Sequence, residues 1–225
     1  MYKKLATYTL FLEALNDLGF LPLSRNLVEF PNIGAMTEGS QWFTDDPDTD
    51  PWQWKTRLVD ERAGAFGKLL GGRPSFISRE WYPFFLAARR GGESFEDAYE
   101  EGRMSHECQR IMALLEDGRP LAVHEIKLLA GFDKGSQSRF EGALTTLQMG
   151  FFITVSGAVR KTTLLGQPYG WPGTQYQAVE AWAWPEALEQ AAMLDPKEAG
   201  VRLVQRVREV LPGAGEKQAR KFLGI

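Results

Sequence analysis

The fold is decided by residues 137–159, which read QSRFEGALTTLQMGFFITVSGAV and change from a helical pattern to a strand pattern within a few positions. Phe140, Leu144 and Leu147 recur at the spacing of one helical face, and Gly150 ends that pattern. Residues 151–159 then alternate as the residues of a strand do. The stretch therefore predicts a helix that is followed at once by a strand.

Two shorter helices precede this stretch, and a second strand follows it. Ser105 is a good helix cap, so the first helix is expected over residues 105–116 and the second over residues 123–130. A turn-rich segment follows the first strand, and residues 175–184 are expected to form the returning strand. Three helices followed by a hairpin are the element order of a winged helix-turn-helix. We assign residues 103–184 to such a domain.

The start of the third helix and the hairpin carry side chains that suit a nucleic acid. In helix-turn-helix proteins, side chains at the N-terminal end of the recognition helix reach bases and phosphates. The predicted DNA contacts of this domain are Lys134, Ser136, Gln137, Ser138 and Arg139 on the helix, with Arg160 and Lys161 on the hairpin. The alternative is a winged helix that serves as a protein-interaction or small-ligand-sensing module, since residues 104–184 hold seven basic and seven acidic side chains.

The chain ends in a second candidate for DNA contact, within a C-terminal region over residues 185–225. A helix is expected over residues 196–210, Pro212 cannot continue it, and another helix begins near Glu216. The glycines between them are expected to take the left-handed turn that helix ends favour and to leave backbone N–H groups free for a phosphate.

The sequence of this region, LPGAGEKQARKFL at residues 211–223, resembles the helix-hairpin-helix motif of DNA repair and replication proteins. The resemblance implies phosphate contacts from Gly213, Gly215, Lys217, Arg220 and Lys221. The alternative is a glycine-capped helical hairpin with a solvated basic face.

Residues 1–102 form an N-terminal region rich in aromatic side chains. We expect a helix over residues 3–18, an ordered loop with one short helix over residues 20–60, two strands within residues 65–78 and a helix over residues 80–90. The predicted fold class is therefore α+β and mainly helical, with a winged helix in the middle of the chain and a helical hairpin at its C-terminal end.

Several segments of the N-terminal region, together with the winged-helix pattern, carry a resemblance to a known family. They are Phe30-Pro31-Asn32, Trp52-Gln53-Trp54-Lys55, FGKLL at residues 66–70 and FISREWYPF at residues 76–84. Over roughly residues 10–184 the chain resembles the bacterial AlkZ-related proteins. These are distant relatives of winged-helix DNA glycosylases, which excise alkylated bases and unhook crosslinks. The resemblance implies a repair-related DNA-binding protein, with a divergent alkylbase DNA glycosylase as the enzymatic form of that role.

The glycosylases of that group hold the attacking water and the developing sugar cation with a Gln-apolar-Gln or Gln-apolar-Asp motif. Here Gln41-Trp42-Phe43 has the first glutamine without a second polar residue. Asp45 and Asp46 follow closely, and carboxylates can stabilise a sugar cation or hold a water. The catalytic candidates are therefore Asp45, Asp46 and Gln41.

The same region supplies a candidate pocket for a base, formed by Trp42, Trp52, Trp54 and Trp81. An alkylated base is flat and cationic, and stacking on an aromatic side chain is worth ~1–3 kcal/mol per base. The alternative for these aromatic residues is the hydrophobic core of the region.

Composition excludes several other classes of protein. With 225 residues and a formal net charge of −3, the chain is long enough for one large or two small domains, and any nucleic-acid surface must be local. Cys108 is the only cysteine, and no nucleotide-binding loop or metal-ligand spacing is present, so we expect no disulfide, no metal and no cofactor. We expect a cytoplasmic protein with DNA as partner, without a secretory leader or membrane span. Protein partners stay open.

Overall fold

The computed structural model describes residues 3–163 and 165–225, and it divides into two compact units. The first unit contains the residues up to Gly92 together with Trp184–Ile225, and the second contains Glu93–Ala183. Helices and small antiparallel sheets build the structure, so the predicted α+β class is confirmed. The domain boundaries that we draw after residues 102 and 184 stay predictions.

The connections between the helices and strands are short in most places, and the longest are those before and after α2. In chain order they are α1 (Tyr8–Leu18), β1 (Phe20–Pro22), α2 (Ile33–Met36), α3 (Pro51–Asp60), β2 (Gly64–Leu70), β3 (Arg73–Ser78), α4 (Tyr82–Arg90), α5 (Phe95–Glu100), α6 (His106–Met112), β4 (Leu121–Ala122), α7 (Val123–Leu129), α8 (Gln137–Met149), β5 (Ile153–Thr162), β6 (Pro168–Ala178), α9 (Val179–Trp182), α10 (Pro185–Met193), α11 (Pro196–Val210) and α12 (Glu216–Leu223). Single turns of 3-10 helix lie at Gly39–Gln41 and Lys134–Ser136. None of the helices in the described ranges is long and apolar enough to cross a membrane.

The first unit is built on an antiparallel sheet of order β1-β3-β2, in which Phe76 of β3 lies opposite Phe66 of β2. Phe11 of α1 packs edge-on against Phe76, with ring centroids 4.9 Å apart. Phe11 also stacks on the indole of Trp54 on α3, with ring centroids 5.2 Å apart. Aromatic pairs of this kind contribute about 0.5–1.5 kcal/mol beyond their buried area, so they fix α1 and α3 on the sheet.

Two of the sequence-based predictions for this unit are wrong. The first helix begins at Tyr8 rather than at residue 3, because the Thr7 hydroxyl caps it by accepting a hydrogen bond from Leu10 N. The single short helix expected within residues 20–60 is also wrong, since this loop-rich range contains β1, α2 and the ten-residue helix α3. The Asp50-Pro51 pair, which suggests a loop, in fact starts α3: the Asp50 carboxylate accepts from Trp52 N at 2.8 Å, and proline is favoured in a first helical turn.

The C-terminal helix α12 is fastened to the sheet of the first unit by Arg89. Its guanidinium is buried and donates hydrogen bonds to the carbonyl oxygens of Leu69 and Leu223. Burial lowers the pKa of Arg89 to about 9. Phe222 adds an aromatic contact with Phe30, at 5.4 Å between ring centroids. The end of the chain is therefore part of the core of this unit.

The second unit contains the helices α5 to α9 and a three-stranded antiparallel sheet of order β4-β6-β5. The helices α6 and α8 pack together, and the Cys108 thiol of α6 lies 3.8 Å from the carbonyl oxygen of Ala143 on α8. Phe132 and Phe140 add an aromatic pair at 4.9 Å. Cys108 therefore has a packing role in this core.

The strand and helix limits of this unit also differ from those predicted. The helix expected over residues 105–116 ends at Met112, because turns follow it. The first strand runs over Ile153–Thr162 instead of residues 151–159. The returning strand begins at Pro168 and stops at Ala178, where α9 starts, instead of covering residues 175–184. The glycines and prolines of residues 166–173 resemble a loop in the sequence, yet residues 168–173 lie within β6, and Pro168, Tyr169 and Gly173 pair with β5.

Candidate nucleic-acid interface

The start of α8 presents most of the polar side chains predicted to contact DNA. Lys134, Ser138 and Arg139 are exposed, whereas Ser136 is buried and its hydroxyl donates to the Asp133 carboxylate at 2.8 Å. This hydrogen bond lowers the pKa of Asp133. Ser136 therefore shapes the turn into α8 rather than facing solvent.

Acidic side chains accompany the cations at this end of α8. Arg139 lies 3.7 Å from the carboxylate of Glu107, and Gln137 contacts both Glu141 and the ammonium of Lys127. A polyanion approaching this surface has to compete with these contacts. The polar start of the helix is thus available to a partner, but its local charge is balanced.

The outer part of the β5–β6 hairpin has a different character. Arg160 and Lys161 are exposed, and Lys161 lies opposite Tyr169 in the ladder. Tyr169 has 50% of its surface exposed, and Trp171 has 89%. Residues 156–178 contain no aspartate or glutamate. The hairpin therefore joins two cations to two exposed aromatic side chains without a compensating acid.

In the first unit, a buried carboxylate organises the loop between Gln41 and α3. Asp50 is fully buried, and its two carboxylate oxygens accept hydrogen bonds from the backbone N–H groups of Phe43, Thr44, Asp45 and Trp52 at 2.8–3.2 Å. Phe43 and Asp45 have φ values of +63° and +61°, a conformation that is rare for non-glycine residues. Asp50 holds the loop in this strained shape.

The loop carries an exposed aromatic group. Phe43 has 70% of its surface exposed, and its ring centroid lies 5.4 Å from Trp52 and 6.2 Å from Trp42. The ammonium of Lys55 lies 3.1 Å from the centroid of the Trp52 ring. Burial lowers the pKa of Lys55 to about 8, although the negative charge of Asp50 acts in the opposite direction.

The four tryptophans of the predicted base pocket do not come together. Trp42 and Trp52 flank Phe43, but Trp54 is wholly buried and donates from Nε1 to the carbonyl oxygen of Asp48. Trp81 is also buried, beneath the guanidinium groups of Arg202 and Arg206. The interior positions of Trp54 and Trp81 fit the core role that the sequence left open.

Gln41, one of the three catalytic candidates, is engaged in holding the loop. Its Nε2 lies 3.1–3.3 Å from the carbonyl oxygens of Leu5, Ala6 and Thr49, and its Oε1 accepts from Glu38 N at 2.7 Å. Both the nitrogen and the oxygen of the Gln41 side-chain amide are therefore hydrogen-bonded to the backbone.

The two aspartates of the predicted catalytic set differ in their surroundings. The Asp46 carboxylate accepts from Asp48 N at 2.8 Å and from the Thr49 hydroxyl at 3.0 Å, and these hydrogen bonds lower its pKa. Asp45 is exposed, and its carboxylate lies 3.4 Å from the Gln53 amide nitrogen. Of the two carboxylates, Asp45 is the one more open to an incoming ligand.

At the C-terminal hairpin, the expected left-handed glycine turn is wrong. Neither Gly213 nor Gly215 has a positive φ, because the turn closes through Leu211, whose carbonyl oxygen accepts from Ala214 N at 2.9 Å. Lys217 and Lys221 are exposed, while Arg220 pairs with Glu216 at 3.0 Å.

The helices α11 and α12 border a groove of ≈ 520 Å³, lined among others by Val204, Arg208, Pro212 and Arg220. Glu209 and Glu216 line the same groove, so its charged lining is mixed in sign.

Sequence reasoning missed four residues of these surfaces: Phe43, Lys55, Tyr169 and Trp171. An acid-free, turn-rich segment that contains two aromatic residues is a signal that could have identified Tyr169 and Trp171. No comparable signal marks Phe43, because its exposure depends on the buried partner Asp50. Among the residues described, no group of three His, Cys, Asp or Glu side chains suits a metal ion.

The amino-acid sequence matches the model of a known protein family. The model of the family described as AlkZ related matches residues 5–224, so this chain belongs to the AlkZ-related family, and the resemblance found in the sequence is confirmed. Among solved structures, the chain is similar to the Streptomyces sahachiroi DNA glycosylase AlkZ, with 14% identity and a TM-score of 0.45. The match covers 93% of this chain and 57% of the AlkZ chain. Comparison with curated proteins finds no match.

Proposed function

We propose that this protein binds duplex DNA, damaged duplex included, in a repair-related role. The observation that carries the proposal is the outer β5–β6 hairpin, where Arg160 and Lys161 accompany exposed aromatic side chains and no acid lies within residues 156–178. Neutralising phosphates with lysine and arginine is the main source of affinity for DNA. The overall charge of −3 makes a local surface of this kind necessary.

The element order of the second unit supports a winged-helix assignment. The helices α6, α7 and α8 precede the β5–β6 hairpin. The short strand β4 pairs with the free edge of β6, so β6 is the central strand of the sheet. In this assignment α8 is the recognition helix, with Lys134, Gln137, Ser138 and Arg139 towards a groove. The proposed wing is the β5–β6 hairpin.

Family membership supports the repair-related part of the proposal. The family is described by its relation to AlkZ, and the Streptomyces sahachiroi protein of that name is a DNA glycosylase. The proposed DNA partner implies a cytoplasmic location.

The C-terminal hairpin is a second proposed contact, in the manner of a helix-hairpin-helix motif. Its support is the exposure of Lys217 in the first turn of α12, where backbone N–H groups and a cation can meet one phosphate, and of Lys221 one turn further along the helix. In the proposed contact, the backbone N–H groups of Gly213 and Gly215 belong to residues in ordinary, not left-handed, conformations.

Base excision is a second candidate function, and the arrangement around Asp45 is what favours it. The exposed carboxylate of Asp45 lies in the same loop as Phe43, whose ring contacts Trp52 of α3, so a base could stack while Asp45 faces the sugar. Gln41 and Asp46 are already used to hold the loop, so Asp45 would carry the chemistry.

The proposal competes with a protein-interaction or ligand-sensing role, and variants of the surface separate the two. We expect the double variant Arg160→Ala/Lys161→Ala and the triple variant Lys217→Ala/Arg220→Ala/Lys221→Ala each to weaken duplex binding, measured by fluorescence anisotropy with a labelled oligonucleotide. A matched control is Arg25→Ala, which removes an exposed arginine that pairs with Glu29 elsewhere in the first unit. Equal affinity for the parent and both basic-surface variants would favour the interaction module.

A further inference from the structure

The exposed tryptophan at the outer end of the long hairpin has no role in the packing of the second unit. Trp171 and Leu165 each have 89% of their surface exposed, in a fold that otherwise buries most of its large aromatic groups. A tryptophan is costly to leave in water and is a strong contact when a partner covers it. Its position therefore points to a bound partner.

The backbone presents Trp171 outward by an irregularity in the ladder. Val159 lies opposite Gly173 and Lys161 opposite Tyr169, so the single residue Arg160 faces residues 170–172. Extra residues on one strand form a bulge, which bends the strand and redirects side chains.

The two neighbours of Trp171 suit this shape. Gly170 has a φ of +71°, which glycine adopts without strain, and Pro172 has no N–H that the ladder would need to satisfy. The local sequence therefore favours the bulge that carries the tryptophan.

Charge indicates the kind of partner. Arg160 lies opposite the bulge, Lys161 follows it, and no acid lies within residues 156–178. An aromatic face beside cations is the combination with which proteins bind unstacked nucleic acid, where the phosphates pair with the cations and a base stacks on the ring. In an intact duplex the faces of the bases are covered by their neighbours, so an indole finds a free face only where a base is unpaired.

We propose that Trp171 stacks on an unpaired nucleobase, so that the hairpin binds DNA with an unstacked base more tightly than it binds intact duplex. This inference rests on the proposed DNA binding and adds the form of DNA that the site prefers. Arg160 and Lys161 hold the flanking phosphates, and Trp171 supplies the discrimination.

The test compares two labelled duplexes of the same length, one fully paired and one with a single bulged base, bound by the full chain at low salt. We expect the parent to prefer the bulged duplex by roughly 5- to 100-fold, the range that one stacked base provides. Trp171→Ala should remove this preference, so that the bulged duplex binds no more tightly than the paired one. Trp171→Phe should keep much of it, because phenylalanine retains an aromatic face.

Two controls separate stacking from other effects of the hairpin. Leu165→Ala removes an equally exposed apolar side chain without a ring face and should leave the preference intact. Arg160→Ala/Lys161→Ala should weaken binding of both duplexes by a similar factor. A preference that survives in Trp171→Ala would overturn the inference.

The inference and the underlying function fail in different ways. If the parent binds neither duplex, the proposed DNA binding is wrong and the inference falls with it. If the parent binds both duplexes equally, DNA binding stands and the stacking role of Trp171 is wrong. Binding of a peptide or of RNA, but not DNA, in a Trp171-dependent manner would reassign the partner.

Discussion

The carboxylate of Asp50 accepts a hydrogen bond from Phe43 N at 3.1 Å, and this contact joins a fully buried acidic side chain to an aromatic side chain with 70% of its surface exposed. Phe43 keeps its left-handed backbone because the same carboxylate also holds the next two N–H groups of the loop. Backbone strain of this kind persists only where surrounding contacts enforce it, and it is common at functional sites.

Replacing Asp50 should therefore affect both stability and the shape of the loop. Asp50→Ala leaves four N–H groups without their acceptor, and we expect a loss of about 2–5 kcal/mol in the free energy of unfolding. Urea denaturation measures it. The control Asp46→Ala removes an exposed carboxylate from the same loop and should cost clearly less. Equal losses for the two variants would contradict the central role of Asp50.

Lys55 predicts a pH dependence of stability. Burial lowers its pKa in the folded state to about 8, below the value of an exposed lysine, so the folded protein binds fewer protons than the unfolded chain between about pH 8 and 10.5. The contribution of Lys55 to stability therefore rises with pH across this window. Below pH 8 the cost of its buried charge is present in full.

The variant Lys55→Met isolates this effect, because it removes the buried charge and keeps a long side chain over Trp52. We expect Lys55→Met to be more stable than the parent at pH 7, with the advantage shrinking as the pH rises from 8 to 10.5. Thermal unfolding at several pH values measures this difference in stability. The control is Lys217→Met, which removes a lysine at an exposed position. A pH-independent difference for Lys55→Met would show that burial does not control this amine.

The variant Gly213→Ala distinguishes an effect on stability from an effect on phosphate contact at the C-terminal hairpin. A Cβ atom at this position meets nothing within 4 Å, and the φ of Gly213 is not positive, so Gly213→Ala should leave stability unchanged or raise it by up to ~1 kcal/mol. Where the backbone approaches a phosphate, the added methyl group hinders it, so affinity for duplex DNA should fall. Thermal unfolding and anisotropy on the same variant measure the two effects. Full affinity in Gly213→Ala would argue against a helix-hairpin-helix contact.

Gly71 is the opposite case and serves as the reference for this variant. Its φ is +55°, and a Cβ atom would lie 3.3 Å from the carbonyl oxygen of Lys221 on α12. Gly71→Ala should therefore destabilise the first unit. Comparable stability of the two alanine variants would contradict the described packing.

Asp45 is the subject of the catalytic prediction. We expect the parent to release little or no base from DNA that carries alkylated purines, because the paired polar motif of the related glycosylases is absent at residues 41–43. Any release should be abolished by Asp45→Asn and persist in Asp46→Asn, since the Asp46 carboxylate is held by Asp48 N and Thr49. The number of abasic sites in the DNA after incubation measures base release by the parent and by each variant. Robust release that neither variant changes would exclude this loop from the chemistry.

Much of the architecture could be predicted from the sequence, because local signals agree with the packing. The apolar spacing of Phe140, Leu144 and Leu147 identifies α8, and all three side chains are buried. The limits of the strands were less predictable, since Pro168 and Gly173 are typical of loops, while their pairing depends on the partner strand. Helix α3 was hidden because Asp50 and Pro51 are also typical of turns.

The site was less predictable, because exposure and burial arise from tertiary contacts. Trp52 and Trp54 lie two positions apart in one helix, yet Trp54 packs on Phe11 in the core and Trp52 has 37% of its surface exposed. Sequence spacing cannot tell which side of α3 faces the sheet until the positions of α1 and the sheet are known. The same reason hides the exposed Phe43.

The most direct test of the account is the affinity of the full chain for an intact duplex at 50 mM and 200 mM salt. With two phosphates neutralised by Arg160 and Lys161 of the hairpin, the affinity should fall roughly 10-fold between the two conditions. Arg160→Ala/Lys161→Ala should bind more weakly at 50 mM salt and lose less affinity on going to 200 mM. An affinity that is the same at both salt concentrations, or no binding at 50 mM, would contradict the claim that this protein is a DNA-binding protein.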